Sequence, residues 1–164
     1  LCWIFSLTCW AMNHRVRRLR VQESTLYSDA MSECIFCKII EGSLPSHKVF
    51  ENEDCYAFLD IFPAGRGHTL VIPKKHVKDI HDADAQTYSK VASAAKEVAD
   101  LLANKLESEG TTIFQMSREA GWQTVFHLHM HVIPRWKDDG LHKPWDIAPA
   151  ADSDLREVLQ QITK

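Results

Sequence analysis

Three histidines alternate with three apolar residues in the run His127-Leu128-His129-Met130-His131-Val132 of this 164-residue chain. In an extended strand, side chains at i, i+2 and i+4 share one face. That register predicts a row of imidazoles on one side, with Leu128, Met130 and Val132 turned into a core on the other. Such a row could be satisfied structural histidines, could ligate a metal, or could do nucleophilic chemistry. A neutral imidazole nitrogen attacks phosphorus readily, and a neighbouring histidine can orient it or handle a proton near neutral pH. Three imidazoles on one face cannot all be protonated cheaply, which keeps at least one neutral. The segment Gly121-Trp122-Gln123-Thr124 leads into the row. Its backbone N–H groups, amide and hydroxyl are suited to phosphate oxygens or a leaving group.

Two further constellations carry chemistry. Cys34 and Cys37 form a Cys-x-x-Cys pair, which suits zinc, redox chemistry or two buried thiols. A closed zinc site needs four ligands, and His76 and His127 are the best further donors. Should His127 go to the metal, only His129 and His131 remain for chemistry. Asp60, in Phe58-Leu59-Asp60-Ile61-Phe62-Pro63, falls where a strand leaves the sheet. There it could accept bonds from ribose hydroxyls, or simply start a turn before the proline.

The elements that must position these residues are legible from Met31 onward. A short helix is predicted over Cys34–Glu41, ending at Gly42. Strands follow over Lys48–Glu51 and Cys55–Leu59, joined by a tight turn at Asn52-Glu53-Asp54. After a loop marked by Pro63, Gly65 and Gly67, His68–Pro73 reads as a buried strand. Apolar residues Tyr88, Val91, Ala95, Val98, Leu102 and Leu106 recur at helical spacing, predicting a long helix over Asp84–Glu107 that Gly110 ends. Thr111–Met116 and Val125–Pro134 supply two more strands, and Asp154–Ile162 a terminal helix. The pattern is α+β, a mostly antiparallel sheet with the long helix over one face.

Length and a 45% hydrophobic content suit one domain, and a net charge of −3 gives no bias toward nucleic acid or membrane. Lys74, Lys75, Arg118 and Arg135 nevertheless lie close in sequence to the candidate site segments. Five cysteines, an odd count, speak for a reducing compartment rather than a disulfide scaffold. Residues 1–30 differ from the rest: an apolar run is followed by Arg15, Arg17, Arg18 and Arg20. They read as an extension outside the domain, either an over-extended gene model starting before Met31 or a mitochondrial transit peptide. The expected domain spans 31–164 with a tail from about 137. Its expected compartment is the cytoplasm, or the mitochondrion if the extension is a transit peptide.

The histidine row, with Cys34-Ile35-Phe36-Cys37-Lys38-Ile39-Ile40, Phe58-Leu59-Asp60-Ile61, Gly67-His68-Thr69-Leu70-Val71-Ile72-Pro73-Lys74-Lys75-His76 and Gln123-Thr124-Val125-Phe126, resembles the histidine-triad (HIT) superfamily. The resemblance spans about residues 32–136 and is closest to the Hint-like nucleotide-binding branch, including members that carry zinc. It implies a homodimer of α+β protomers, each taking a purine nucleoside monophosphate moiety. It makes His129 the nucleophile at the α-phosphorus and His131 its phosphate-side helper. His127 and His68 become supports, or His127 a zinc ligand with Cys34, Cys37 and His76. Thr124 takes a place near the leaving group, Gln123 one on the phosphate, and Asp60 with Ile61 the ribose. No cofactor is implied for the chemistry itself. Two positions depart from the family pattern: Met116 stands where an Asn is common, and Trp122 where a Gly is. The implied activity is a phosphoramidase or nucleotidyl hydrolase. A dinucleoside polyphosphate hydrolase is the runner-up, a nucleotidyltransferase is less favoured, and a nucleotide-binding adaptor or a structural zinc module are readings of another class.

Overall fold

Asn52 shows how local chemistry builds the first hairpin. Its side-chain oxygen accepts from the backbone N–H groups of Asp54 (3.0 Å) and Cys55 (2.7 Å), turning the chain within three residues. The structure, a computed structural model, describes residues 33–143 and 145–164; the extension expected over 1–30 lies outside the described residues. Helix α1 (Ile35–Ile40) precedes strands β1 (Lys48–Glu51), β2 (Cys55–Leu59) and β3 (Thr69–Pro73). The long helix α2 (Ala85–Leu106) leads to β4 (Gly110–Gln115), β5 (Met130–Arg135) and the terminal helix α3 (Asp152–Ile162). Asp84 caps α2 by accepting from the Thr87 N–H at 2.6 Å. The five strands pair antiparallel throughout in the order β1-β2-β3-β5-β4. This is the α+β architecture that the hydrophobic pattern predicts. None of the described helices is long and apolar enough to cross a membrane.

Period-two alternation divides the sheet's two faces. Cys55, Ala57, Val71, Leu128, Met130 and Val132 pack with Val91, Ala94, Val98 and Leu102 of α2 into the larger core. The intervening residues Phe58, Leu70 and Ile72 form a second, smaller cluster with Phe36 of α1. The expected burial of Leu128, Met130 and Val132 beneath the long helix is therefore observed. The opposite face, half covered by α1, is the one that carries the histidines.

Two boundaries differ from expectation. Helix α2 is ended not by Gly110 but by Glu107, whose left-handed conformation (φ 55°) closes the helix, while Gly110 opens β4 opposite Arg135. Strand β5 begins at Met130 rather than Val125. After Pro73 the chain turns away from the sheet, so residues 127–128 find loop partners instead of a ladder. The Leu128 N–H donates to the Val77 carbonyl at 2.7 Å and the His127 N–H to that of Val125 at 2.9 Å. The expected strand over Val125–Pro134 is thus an irregular approach followed by a strand, although its side chains keep alternating faces.

Candidate functional site

The departure of the chain after Pro73 carries His76 to the ring of His127. Cys34, Cys37, His76 and His127 bring one donor atom each within 4.8 Å of one another. The Cys37 sulfur lies 3.3 Å from His76 Nδ1 and 3.7 Å from His127 Nδ1, and the Cys34 sulfur lies 3.5 Å from His127 Nδ1. Tetrahedral zinc with ordinary Zn–S and Zn–N bonds separates S and N ligands by about 3.6 Å. The spacing and the Cys2His2 donor set are therefore compatible with zinc. His127 donates its Nε2–H to the Pro73 carbonyl at 2.9 Å, which leaves the Nδ1 lone pair facing the sulfurs. Burial pushes His127 down to about 4 and lowers His76, so both rings stay neutral as ligands must. Burial pushes the Cys37 thiol up to about 12, so a metal would have to hold it as thiolate.

The other two histidines of the row face a different environment, and their hydrogen bonds fix their tautomers. His129 donates its Nδ1–H to the His127 carbonyl at 2.6 Å, which leaves the lone pair on Nε2. Burial lowers its pKa and keeps the ring neutral. The Ala64 N–H donates to His68 Nδ1 at 3.0 Å, so the proton of His68 sits on Nε2 and is donated to His131 Nδ1 at 2.8 Å. Neutral His131, pushed down to about 4 by burial, must then carry its proton on Nε2. That buried atom has no partner among the described residues. An unpaired buried donor is costly, and a ligand oxygen would relieve it. Phe114 stacks on the His131 ring at 4.5 Å, and Phe36 meets the His129 ring edge-on at 5.4 Å.

His129 and His131 lie at the polar end of a cleft of about 650 Å3. Its other walls are apolar and come from α1 (Ile35, Phe36, Ile39), from Leu44, Phe58 and Leu70, and from Phe114 and Met116. Asp60, Ile61, His68 and Thr124 also line it, so most of the expected site residues are brought together. Asp60 accepts the Phe62 N–H at 2.9 Å and holds the loop at the mouth. Gln123 is not brought to the cleft. Its side-chain oxygen accepts from the Arg118 N–H (2.7 Å), and its amide nitrogen donates to the carbonyls of Lys78 (2.6 Å) and Val125 (3.0 Å). It braces the loop that presents Thr124. His127 is fully buried outside the cleft wall and belongs to the cysteine cluster.

The four cations near the site segments are engaged elsewhere: Lys74 with Glu51, Lys75 with Asp84, Arg118 with Asp79 and Arg135 with Asp139. The cleft therefore offers neutral donors rather than fixed positive charge. Phe36 and Phe114 are site residues that sequence reasoning missed. Phe36 could have been found, since it lies between two candidate metal ligands. Phe114 becomes visible only once β4 is registered against β5, opposite His131. Trp122 adopts a left-handed backbone (φ 67°) and packs against Trp145 at 5.9 Å, beside the cleft rather than within it.

The HIT domain family matches residues 41–138. The chain belongs to the HIT family. A curated HIT relative, named adenosine 5'-monophosphoramidase, from Candida albicans is 38% identical over 139 residues, covering 81% of this chain and 90% of the relative. A solved HIT-family structure from Bacillus subtilis superposes with a TM-score of 0.73 at 36% identity, covering 80% of this chain and 95% of that one. A structure described as a Zn-bound histidine triad family protein, from Mycobacterium smegmatis, gives a TM-score of 0.66 at 35% identity, covering 81% and 97%. Membership of the HIT family makes a nucleotide hydrolase the coarse functional class, and the Cys/His cluster of this HIT chain is compatible with zinc.

Proposed function

We propose that this HIT protein is a purine nucleoside phosphoramidase that releases nucleoside 5'-monophosphate through a nucleotidyl-histidine intermediate. The observation that carries this reading is the pair of complementary nitrogens in one buried row. His129 presents a lone pair at Nε2, and His131 presents an unmatched N–H at Nε2, both beside an apolar cleft wide enough for a purine. A planar base suits the apolar end, Asp60 and Ile61 the ribose, and the imidazoles the phosphate. His129 Nε2 attacks the α-phosphorus; a P–N bond to His129 forms while the bond to the leaving group breaks, and the leaving amine takes up a proton from solvent water. The Thr124 hydroxyl lies on the leaving-group side, and the His131 N–H donates to a phosphate oxygen as charge builds on it. Water then attacks the same phosphorus: its P–O bond forms as the P–N bond to His129 breaks and a proton passes to solvent, which frees the nucleoside monophosphate and restores neutral His129.

Cys34, Cys37, His76 and His127 would hold a structural zinc ion, which supplies rigidity and takes no part in bond making. The functional unit is a homodimer. The relative named as a monophosphoramidase supports the P–N bond as the preferred target. The test is nucleotidyl trapping: a rapid acid quench of the purified protein with an AMP phosphoramidate, followed by peptide mass mapping, should place AMP on His129. His129→Ala should lose turnover by a factor of 10³ or more. Unchanged turnover in that variant, or faster cleavage of a diadenosine polyphosphate than of the phosphoramidate, would overturn the assignment.

A further inference from the structure

The cysteine cluster and the cleft meet at one residue. The His127 ring belongs to Cys34, Cys37 and His76, while its backbone carbonyl accepts the Nδ1–H of His129 at 2.6 Å. That carbonyl lies ahead of β5, which starts at Met130, so no sheet ladder fixes its direction. What holds it instead is local. The His127 N–H is bound to the Val125 carbonyl, the Leu128 N–H to that of Val77, and the ring is clamped at both nitrogens. Nε2 is tied to the Pro73 carbonyl at 2.9 Å, and Nδ1 points at two sulfurs 3.5 and 3.7 Å away. With a metal among those donors the ring has two anchors on opposite sides. Without one, the Nδ1 side is held only by long thiol hydrogen bonds from Cys34 and Cys37, weaker anchors than the Nε2 bond to Pro73.

A second route runs through α1. Phe36 lies between the two cysteines, and its ring meets His127 at 5.9 Å and His129 at 5.4 Å, nearly perpendicular to the latter. The cysteines therefore also place the aromatic edge that packs on the His129 ring. A staple that only joined α1 to the sheet could use any buried donor there. This one uses the residue whose carbonyl selects the tautomer of His129.

We propose that Cys34, Cys37 and His76 are positioning residues for the reaction: by sharing a metal with His127 they fix the carbonyl that aims His129 Nε2 into the cleft. The proposal rests on the reading of His129 as nucleophile. It separates the metal centre's effect on the nucleophile from its effect on the fold, because Asp60 and Ile61 at the ribose end, and Leu44, Phe58 and Leu70 beside α1 at the base end, come from segments that supply no ligand to the cluster. Loss of the metal should thus slow attack and spare nucleotide binding.

The experiment compares the full chain loaded with zinc, stripped by a chelator, and reloaded. Three quantities are read on each: the single-turnover rate of nucleotidylation, the AMP dissociation constant, and the ring-nitrogen signals of His129 in a 15N-labelled sample. Stripping should slow nucleotidylation by about 10- to 100-fold, the scale set by loss of groups that orient a reactive ligand. The AMP dissociation constant should change less than about threefold, equivalent to under 0.7 kcal/mol. The His129 signals should pass from one Nδ1–H tautomer to a mixture, and zinc should reverse both changes. An unchanged rate and tautomer overturn the proposal, as does a rate that falls only in step with AMP binding. If the stripped chain unfolds, the cadmium-loaded protein decides, since its longer metal–sulfur bonds displace the His127 ring in a folded chain. Slower nucleotidylation with unchanged AMP binding supports the relay there, and equal rates with zinc and cadmium overturn it. Absence of any adduct on His129 in the zinc-loaded protein overturns the nucleophile assignment and this proposal with it, whereas an adduct formed equally fast with and without metal overturns the relay alone.

Discussion

His131 concentrates the energetic tension of the site in one ring. It is buried, accepts from His68 at Nδ1, stacks under Phe114, and leaves its Nε2–H unpaired among the described residues. Burial, followed by repulsion from His129 and His68 whenever those rings are protonated, pushes its pKa down to about 4. The unfolded chain titrates this ring near the ordinary histidine value of about 6.5. Because the folded value is the lower one, the unfolded state binds the proton first, and stability falls as pH drops. The contribution is complete above about pH 6.5, is lost progressively toward pH 4, and levels off below that, on the order of 3 kcal/mol in all. Thermal unfolding followed by circular dichroism from pH 7.5 to pH 4 should show this decline. In His131→Gln, which cannot titrate, the decline over the same window should be shallower. Equal slopes in the two proteins would show that some other group governs acid sensitivity.

At the scale of elements, Gly67 joins the strand that carries the site to the helix beneath it. Its backbone is left-handed (φ 79°), and a Cβ added there would lie 2.6 Å from Leu106 Cδ1 and 3.0 Å from Pro134 Cγ. The neighbouring His68 supplies the hydrogen bond that sets the tautomer of His131, so strain at Gly67 is transmitted to the cleft. Gly67→Ala should cost about 1–3 kcal/mol, read as a lowered melting temperature, with a larger loss of turnover than of AMP binding. A variant as stable and active as the parent would remove close packing as the reason for glycine here. The sequence shows these elements because period-two alternation and helical spacing survive folding: Leu128, Met130 and Val132 lie under α2 as their pattern requires. What it hides are partners supplied by distant backbone. The irregular lead-in to β5 depends on the Val77 carbonyl, and Gln123 is diverted from the cleft by the carbonyls of Lys78 and Val125. Lys74, Arg118 and Arg135 look available for phosphate until folding brings up Glu51, Asp79 and Asp139. Phe114 is legible only through its strand register with His131.

At the scale of the whole molecule, the apolar surfaces left exposed among the described residues include the sheet edge at β4 and one stripe of α3, both apart from the exposed Ile61 and Phe62. Strand β4 forms one edge of the sheet, and along it Ile113, Met116, Trp122 and Trp145 line a groove of about 520 Å3. Helix α3 exposes Leu155, Val158, Leu159 and Ile162 at the i, i+3, i+4, i+7 spacing of a single stripe. An isolated helix of this length is marginal in water, and an open strand edge invites pairing. A two-fold axis uses each surface twice, so a second copy of the chain can cover both the edge and the stripe. Two helix-in-groove contacts plus strand pairing reach on the order of the 1,200 Å2 that a specific interface requires. Sedimentation of the full chain at about 10 μM should therefore give a dimer, an estimate set by the affinity of interfaces of that size. Ile113→Lys on the edge, or Leu155→Lys combined with Leu159→Lys on the stripe, should give a folded monomer with unchanged far-ultraviolet circular dichroism. Because Phe114 and Met116 line both the groove and the cleft, the monomer should also bind AMP a few-fold more weakly. A parent chain that sediments as a monomer would refute the dimer. Variants that dissociate without any change in AMP binding would leave the dimer standing but sever it from the cleft, placing specificity within the single chain.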